Sequence, residues 1–201
     1  MALRIETYYK VPDARNTMKR GFFNSLISGS KISKVTIFDC YTIDTKLNKK
    51  QLETAKSLLS NPLMQQVSPK LLAISPKPFS FAIEISYLPG VTDNIGHTAK
   101  ETLSDGAHVK FKPGQNVYSS QVFFVDFNKN NRKRPSAILA KGGSSTNSGA
   151  ELKHIKKIAD SLHNPLIQKA VIKTYSEYQK EVGFPPNLPK VKIISGNKTA
   201  F

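Results

Sequence analysis

Cys40 is the one thiol among 201 residues, and His97, His108, His154 and His163 are the groups that could activate it. A Cys–His pair would run acyl or amide transfer, with the imidazole taking the thiol proton. None of these histidines sits in a nucleophile motif. Cys40 lies inside a strand pattern, "KVTIFDCYTI" at 34–43, beside Phe38 and Tyr41, without a basic cluster to lower its pKa. Its surroundings favour a packed thiol; an enzyme that uses Cys40 is the competing reading. His97 follows Gly96 in the first turn of an expected helix, where main-chain amides can hold an anion. A plain exposed histidine fits that position better, because imidazole has no special preference for that end of a helix. No His, Cys, Asp and Glu grouping has metal-ligand spacing, and the carboxylates are too scattered to mark an acid–base pair. "GGSSTNSG" at 142–149 is glycine-rich, but Ala150 and Glu151 follow where a phosphate loop needs Lys and Ser or Thr. It reads as a flexible connection. The residues therefore predict no catalytic, cofactor-binding or metal-binding group in this chain.

The charge offers a different chemistry. The formal net charge is +16, which raises a nucleic-acid surface as an alternative function, a basic module of ferredoxin-like shape. Lys supplies 25 of the 30 basic residues, however, and they are spread along the chain. The densest run, "KNNRKR" at 129–134, has no interleaved aromatics on which bases could stack. A lysine-rich solvated surface, or a face that meets an acidic partner, fits better. No apolar run is long enough to span a bilayer, and Arg4, Glu6 and Lys10 replace the apolar core of a signal peptide. The expectation is a cytoplasmic protein with no membrane partner. A lone cysteine also excludes an internal disulfide.

The elements that would position any site come twice. "ALRIETYY" at 2–9 and "FSFAIEISYL" at 79–88 alternate as half-buried strands, with Phe79, Phe81, Ile83, Ile85 and Tyr87 on one face and Ser80, Glu84 and Ser86 on the other. Helical spacing follows each: Ala14, Met18, Phe22 and Leu26 in the first half, Ile95, Ala99 and Leu103 in the second. Strands at 34–43 and 117–127 come next. Second helices follow, with Leu52, Ala55 and Leu59 matching Ile155, Ile158 and Leu162. Their starts read Asn48-x-x-Gln51 and Ser148-x-x-Glu151, the latter a capping box. Each ends at an Asn-Pro, Asn61-Pro62 in "SNPLMQQ" and Asn164-Pro165 in "HNPLIQK", because proline cannot continue the helix. Between the elements, 104–116 and 128–149 read as inserted loops.

The stretch "YLPGVTDNIGHTAKETL" at 87–103 resembles the strand-to-helix junction of the small subunit of phosphoribosylformylglycinamidine synthase, a "KPGV-D-x-x-G" pattern opening an amphipathic helix. "LLSNPLMQQ" at 58–66 and "LHNPLIQK" at 162–169 resemble the second helix of that family and its exit. The likeness covers roughly residues 1–180. It departs at Leu88, where the family has Lys, and at Asn16, where the first half would carry the junction glycine; no Pro-Gly pair precedes Asp13. The resemblance implies a tandem copy of a subunit that otherwise works as a dimer. It implies a docking and scaffold role in the ATP- and glutamine-dependent ligase step of purine biosynthesis that converts formylglycinamide ribonucleotide to formylglycinamidine ribonucleotide. This module would join the synthetase and glutaminase parts and help guide ammonia. ATP and magnesium would be held by a downstream synthetase domain, so no catalytic residue carries over. The implied partners are that domain and the glutaminase subunit, with a homodimer of the free piece compatible with the family.

The expected fold is therefore α/β (α+β): two duplicated β-α-β-α-β units with small mixed sheets, helices on one face, related by a pseudo-twofold axis. The units span 1–76 and 77–183. Residues 184–201, "FPPNLPKVKIISGNKTAF", read as a linker toward a further domain. The residues singled out are structural. Pro89, Gly90, Asp93, Asn94 and Gly96 build the junction: Gly90 for positive φ in a tight turn, Asp93 as N-cap, Gly96 for close backbone approach. Asn61, Pro62, Asn164 and Pro165 end the repeated helices.

Overall fold

Asp13 and Asp93 set where the first helix of each half begins, as cap-forming side chains do when their carboxylate accepts from a free first-turn amide. Asp13 accepts from Arg15 N–H at 2.9 Å and Asp93 from Gly96 N–H at 2.8 Å. The structure is a computed structural model that describes residues 2–28, 32–68, 79–127 and 147–180, together with Phe184 and Leu188. Along the chain run β1 (Leu3–Tyr9), α1 (Ala14–Leu26), β2 (Ile32–Ile43), α2 (Lys49–Leu58), β3 (Gln65–Val67), β4 (Phe81–Tyr87), α3 (Asn94–Gly106), β5 (Val117–Phe127), α4 (Asn147–Leu162), β6 (Gln168–Thr174) and α5 (Tyr175–Lys180). The class is α+β, as expected. The capping box forms at the first of the two repeated helices, where Asn48 and Gln51 exchange side-chain-to-backbone bonds. The Ser148 side chain, the basic run at 129–134 and residues 142–146 of the glycine-rich run lie outside the described residues; 147–149, expected to belong to a loop, form the first turn of α4.

The two small mixed sheets expected from the repeat are one sheet. Six strands pair in the order β3-β1-β2-β5-β4-β6, every neighbouring pair antiparallel. The physical reason lies in the two long strands. β2 and β5 are each an edge of their own three-stranded group, and an unpaired edge of that length recruits another strand. They pair from Ile32↔Phe127 to Ile43↔Val117. The strand order is the same read from either end with the halves exchanged, and Asp39 opposite Gln121 marks the middle. Corresponding bonds recur: Lys10 N–H donates to the Met64 carbonyl and Leu88 N–H to the Ile167 carbonyl, both at 2.9 Å.

Alternation puts odd-numbered residues of β1, β2, β4 and β5 on one face. α1 and α4 cover part of it through Phe23, Ile155 and Ile158, packed on Ile37, Ile83 and Phe123. α2 and α3 cover the rest through Ala55, Ala99 and Leu103, packed on Ile5, Ile43 and Val117. Two expected helix rows are displaced. Met18 is 73% and Ile95 57% exposed, and α1 turns Phe23 inward in place of Phe22. A row at strict i, i+4 spacing drifts around a helix of 3.6 residues per turn, so its ends cannot all face one sheet.

The opposite, even-numbered face was expected to be solvated. It is covered too. α5 and Phe184 lie over it, and Phe79, Phe124, Tyr178 and Phe184 form a chain of ring contacts with centroids 4.8–5.6 Å apart. Phe79 joins this layer rather than the row of Phe81 and Ile83, because it precedes the first residue of β4. Phe184, placed in a linker by its prolines, is a buried core residue. Within 104–116, α3 continues to Gly106, and Ala107 and Val109 are buried against the α2–α3 layer. The start of that stretch is therefore helix and core contact, not insertion. The boundary expected at 76/77 lies outside the described residues.

Candidate functional site

The junction after β4 and the start of β5 enclose one end of the even face in a cavity of about 370 Å³. Its wall is the turn at 88–93. Pro89 fixes the approach, Gly90 takes φ +85°, and Val91 N–H closes on the Leu88 carbonyl at 3.2 Å. Asp93 does more than cap. Beyond Gly96 N–H its carboxylate accepts from both the main-chain N–H and the hydroxyl of Ser119, tying α3 to β5. Asn94 begins α3 and is exposed. Gly96 is close-packed as its position suggested. A methyl there would fall on the Val117 carbonyl oxygen and within 2.6 Å of Asp93 Oδ2.

The first half solves the same problem differently. Asn16 stands where Gly96 stands in the second half, and its side-chain oxygen accepts from Ile37 N–H at 3.0 Å. Ile37 has the register position that Ser119 has in the other half. One half uses the cap residue and a glycine, the other a longer side chain three residues on.

Arg4 lies at the cavity floor, with a side chain only 2% exposed. Its Nε donates to Glu6 Oε1 at 2.7 Å and its Nη1 to Glu84 Oε1 at 2.6 Å; the Ser120 hydroxyl donates to that same oxygen at 2.7 Å. Nη2 finds no hydrogen-bond partner among the described residues. A buried N–H left without an acceptor costs about 1–3 kcal/mol. Thr42, Ser86 and Tyr118 supply further polar lining, and Lys169 and His97 stand at the boundary. His97 is within 3.6 Å of Glu101 on the same helix and is well exposed.

Reasoning from alternation missed Arg4 and Glu84, because a polar residue at every second position of a strand reads as solvent-facing. A signal was present. Arg4, Glu6 and Glu84 are charges of opposite sign on strands that both begin a half, and Tyr175, Tyr178 and Phe184 needed a second apolar face to cover. Cys40 lies on this face opposite Glu6 and is fully buried. Burial pushes its thiol well above the ordinary value and outweighs the nearby Arg4. A basic group thus does approach the thiol, contrary to the reading from its neighbours in sequence, but the sulfur remains a packed thiol.

The repeated exits form a second feature. Asn61 Oδ1 accepts from Leu63 N–H and Asn164 Oδ1 from Leu166 N–H, each at 3.0 Å. Gln65 and Gln168 return their side-chain oxygens to Asn61 N–H and Asn164 N–H at 2.7 and 3.1 Å. Pro62 and Pro165 sit inside each turn. The turns hold Leu63 and Leu166 outward, 85% and 82% exposed. Of the junction residues, Gly90 and Asp93 line the cavity while Pro89, Asn94 and Gly96 do not, and the two exits form a matched pair of apolar tips.

Among the described residues no cluster of His, Cys, Asp and Glu could hold a metal ion, and no helix is long and apolar enough to cross a membrane. No protein-family model matches the chain, and no curated protein matches it in sequence.

Proposed function

We propose that this chain is a docking and scaffold module of phosphoribosylformylglycinamidine synthase, a fused pair standing in for a dimer of small subunits. On this reading the halves arose by duplication. The module acts in the cytoplasm, binds the synthetase domain and the glutaminase subunit, and leaves ATP, magnesium and the glutamine-cleaving chemistry to them.

The observation that carries the reading is the matched pair of Asn-Pro exits in a sheet whose strand order is symmetric. Both exits use the same side-chain-to-backbone bonds to hold a leucine in solvent. An exposed leucine held out by a tight hydrogen-bonded turn is apolar surface that a partner can cover, and covering one contributes about 1.5–3 kcal/mol. Two such tips, one in each half, suit a partner that meets both halves at once. The junction at 87–103 adds the family likeness, with Gly90, Asp93 and Gly96 each in a structural role.

The test is reconstitution. The chain, the synthetase and the glutaminase are mixed and run on a sizing column, and glutamine-dependent ligase activity is followed. Assembly with the native chain is expected. Leu63→Ser together with Leu166→Ser should weaken it at least tenfold while leaving the unfolding midpoint within a few degrees. Absence of any assembly with the native chain would sink the proposal, as would full assembly by the double variant.

A further inference from the structure

The even face of the sheet is built differently in its two halves. By register, Arg4 corresponds to Ala82, Thr42 to Phe124, Ser86 to Tyr8, and Ser120 to Phe38. In one half those positions are filled: Tyr8 stacks on Phe38 at 4.8 Å, Phe38 meets Phe124 edge-on at 5.0 Å, and α5 closes the layer with Tyr178. In the other half they carry a guanidinium and three hydroxyls around the cavity of about 370 Å³. Thr42 and Glu84 line that cavity while only 4% and 7% exposed. Neither is fully used within the fold. The Thr42 hydroxyl makes no hydrogen bond among the described residues. Glu84 Oε1 holds Arg4 and Ser120, whereas Oε2 holds nothing. Both free oxygens keep accessible surface, unlike Arg4 Nη2, which is sealed. The Ser86 and Tyr118 hydroxyls are unbonded as well. Tyr118 stands opposite Thr42, and Ser86 opposite Ser120 at the next position on this face, so the free groups share one patch.

We propose that this cavity binds a small neutral polyol of sugar size, one hydroxyl donating to Glu84 Oε2 and others exchanging hydrogen bonds with Thr42, Ser86 and Tyr118. The charges of the lining cancel, Arg4 and Lys169 against Glu84 and Asp93. A charged ligand would therefore enter without a counter-charge of its own, and burying an unpaired charge is costly. A neutral ligand avoids that cost. The free groups set its chemistry. A carboxylate oxygen only accepts, so the ligand must donate there; the protein hydroxyls donate and accept, so ligand groups that do both match them. Alcohol hydroxyls meet both demands. Leu88, Val91 and Val171 add apolar wall for the C–H faces of such a molecule. The volume lies at the small end of the range for small-molecule sites, which suits a single sugar. This site does not depend on the docking reading, and its test involves no partner protein.

The test is an NMR titration of the isotope-labelled 201-residue chain with xylose, with glucose and, at matched ionic strength, with inorganic phosphate. At least one sugar should give saturable shifts confined to the amides around the cavity, those of Thr42, Ser86, Gly90, Tyr118 and Ser120. Phosphate should bind there at least tenfold more weakly than that sugar. Thr42→Val keeps the shape of the side chain and removes a hydroxyl that bonds nothing within the fold. It should weaken the sugar about three- to tenfold, the share of one hydrogen bond. Ser86→Ala should act alike, and decides the matter if Thr42→Val does not fold. Ser86→Tyr brings into the cavity the ring that Tyr8 supplies in the other half, and should abolish the saturable shifts. No saturable shift from either sugar would mean a merely hydrated pocket. That result, phosphate binding as tightly as the sugar, or unchanged affinity in the hydroxyl-deleted variants would each overturn the proposal.

Discussion

Replacing Asp93 by alanine removes three hydrogen bonds at once. The Gly96 N–H loses its cap, a change that costs about 1 kcal/mol at a typical helix start. The Ser119 N–H and hydroxyl lose the same carboxylate, and Ser119 is buried, so the amide has no ready replacement. An unsatisfied buried donor adds about 1–3 kcal/mol. The two together put the cost at about 2–4 kcal/mol. At roughly 2–4 °C per kcal/mol for a chain of this size, the thermal midpoint should fall by about 4–16 °C. Asp13→Ala serves as the comparison. Asp13 caps only Arg15 N–H, and its bonds to the partly exposed Arg15 guanidinium are worth little in water. It should cost about 1 kcal/mol. Denaturant unfolding of the two variants, with slopes checked for two-state behaviour, measures the difference. Equal losses, or a loss below about 0.5 kcal/mol for Asp93→Ala, would refute the tie between α3 and β5. On the proposed docking role, the same variant should act through stability alone in the assembled complex. A hundredfold drop in turnover at full assembly and unchanged stability, the scale of a lost general acid or base, would make Asp93 a chemical group instead.

Gly96→Val should cost more than a cap, on the order of 1–3 kcal/mol or above from overpacking, because the added carbons meet the Val117 main-chain oxygen and an Asp93 carboxylate already held by its hydrogen bonds to Gly96 and Ser119; an unfolding midpoint equal to that of the native chain would show the approach is not close. Cys40 should resist thiol reagents in the native state and react fully in denaturant. Its folded pKa is raised by burial, so its contribution to stability is complete below the unfolded value of about 8.5 and lost as pH rises toward the folded one. The stability of the native chain relative to Cys40→Ala should therefore decline as pH rises above about 8.5; a flat difference speaks against a buried thiol. Glu177 forms a capping box with Thr174, whose amide and hydroxyl hold its carboxyl below the ordinary range. An NMR titration should place it under that of an isolated glutamate, with α5 loosening as pH falls through that lowered value; a normal or raised value would mean the box does not form in solution.

The order of elements was legible in the sequence because it depends on local rules. Period-2 alternation gives strands, i, i+4 rows give helices, aspartate opens them and Asn-Pro ends them, and each rule operates within a few residues. The strand at 117–127 and the role of Gly90 could be read for that reason. What alternation cannot tell is what covers a face. Arg4, Glu6 and Glu84 follow the pattern of solvent-facing positions, yet they are buried, because Arg4 meets a carboxylate 80 residues away and α5 with Phe184 lies over the same face. Whether the halves make two sheets or one is likewise decided by the edges of β2 and β5, which find each other only in three dimensions. α5, β3 and the cavity depend on those long-range pairings. Period and caps are properties of neighbouring residues; burial, charge pairing and the shape of the cavity are properties of residues that only the folded sheet brings together.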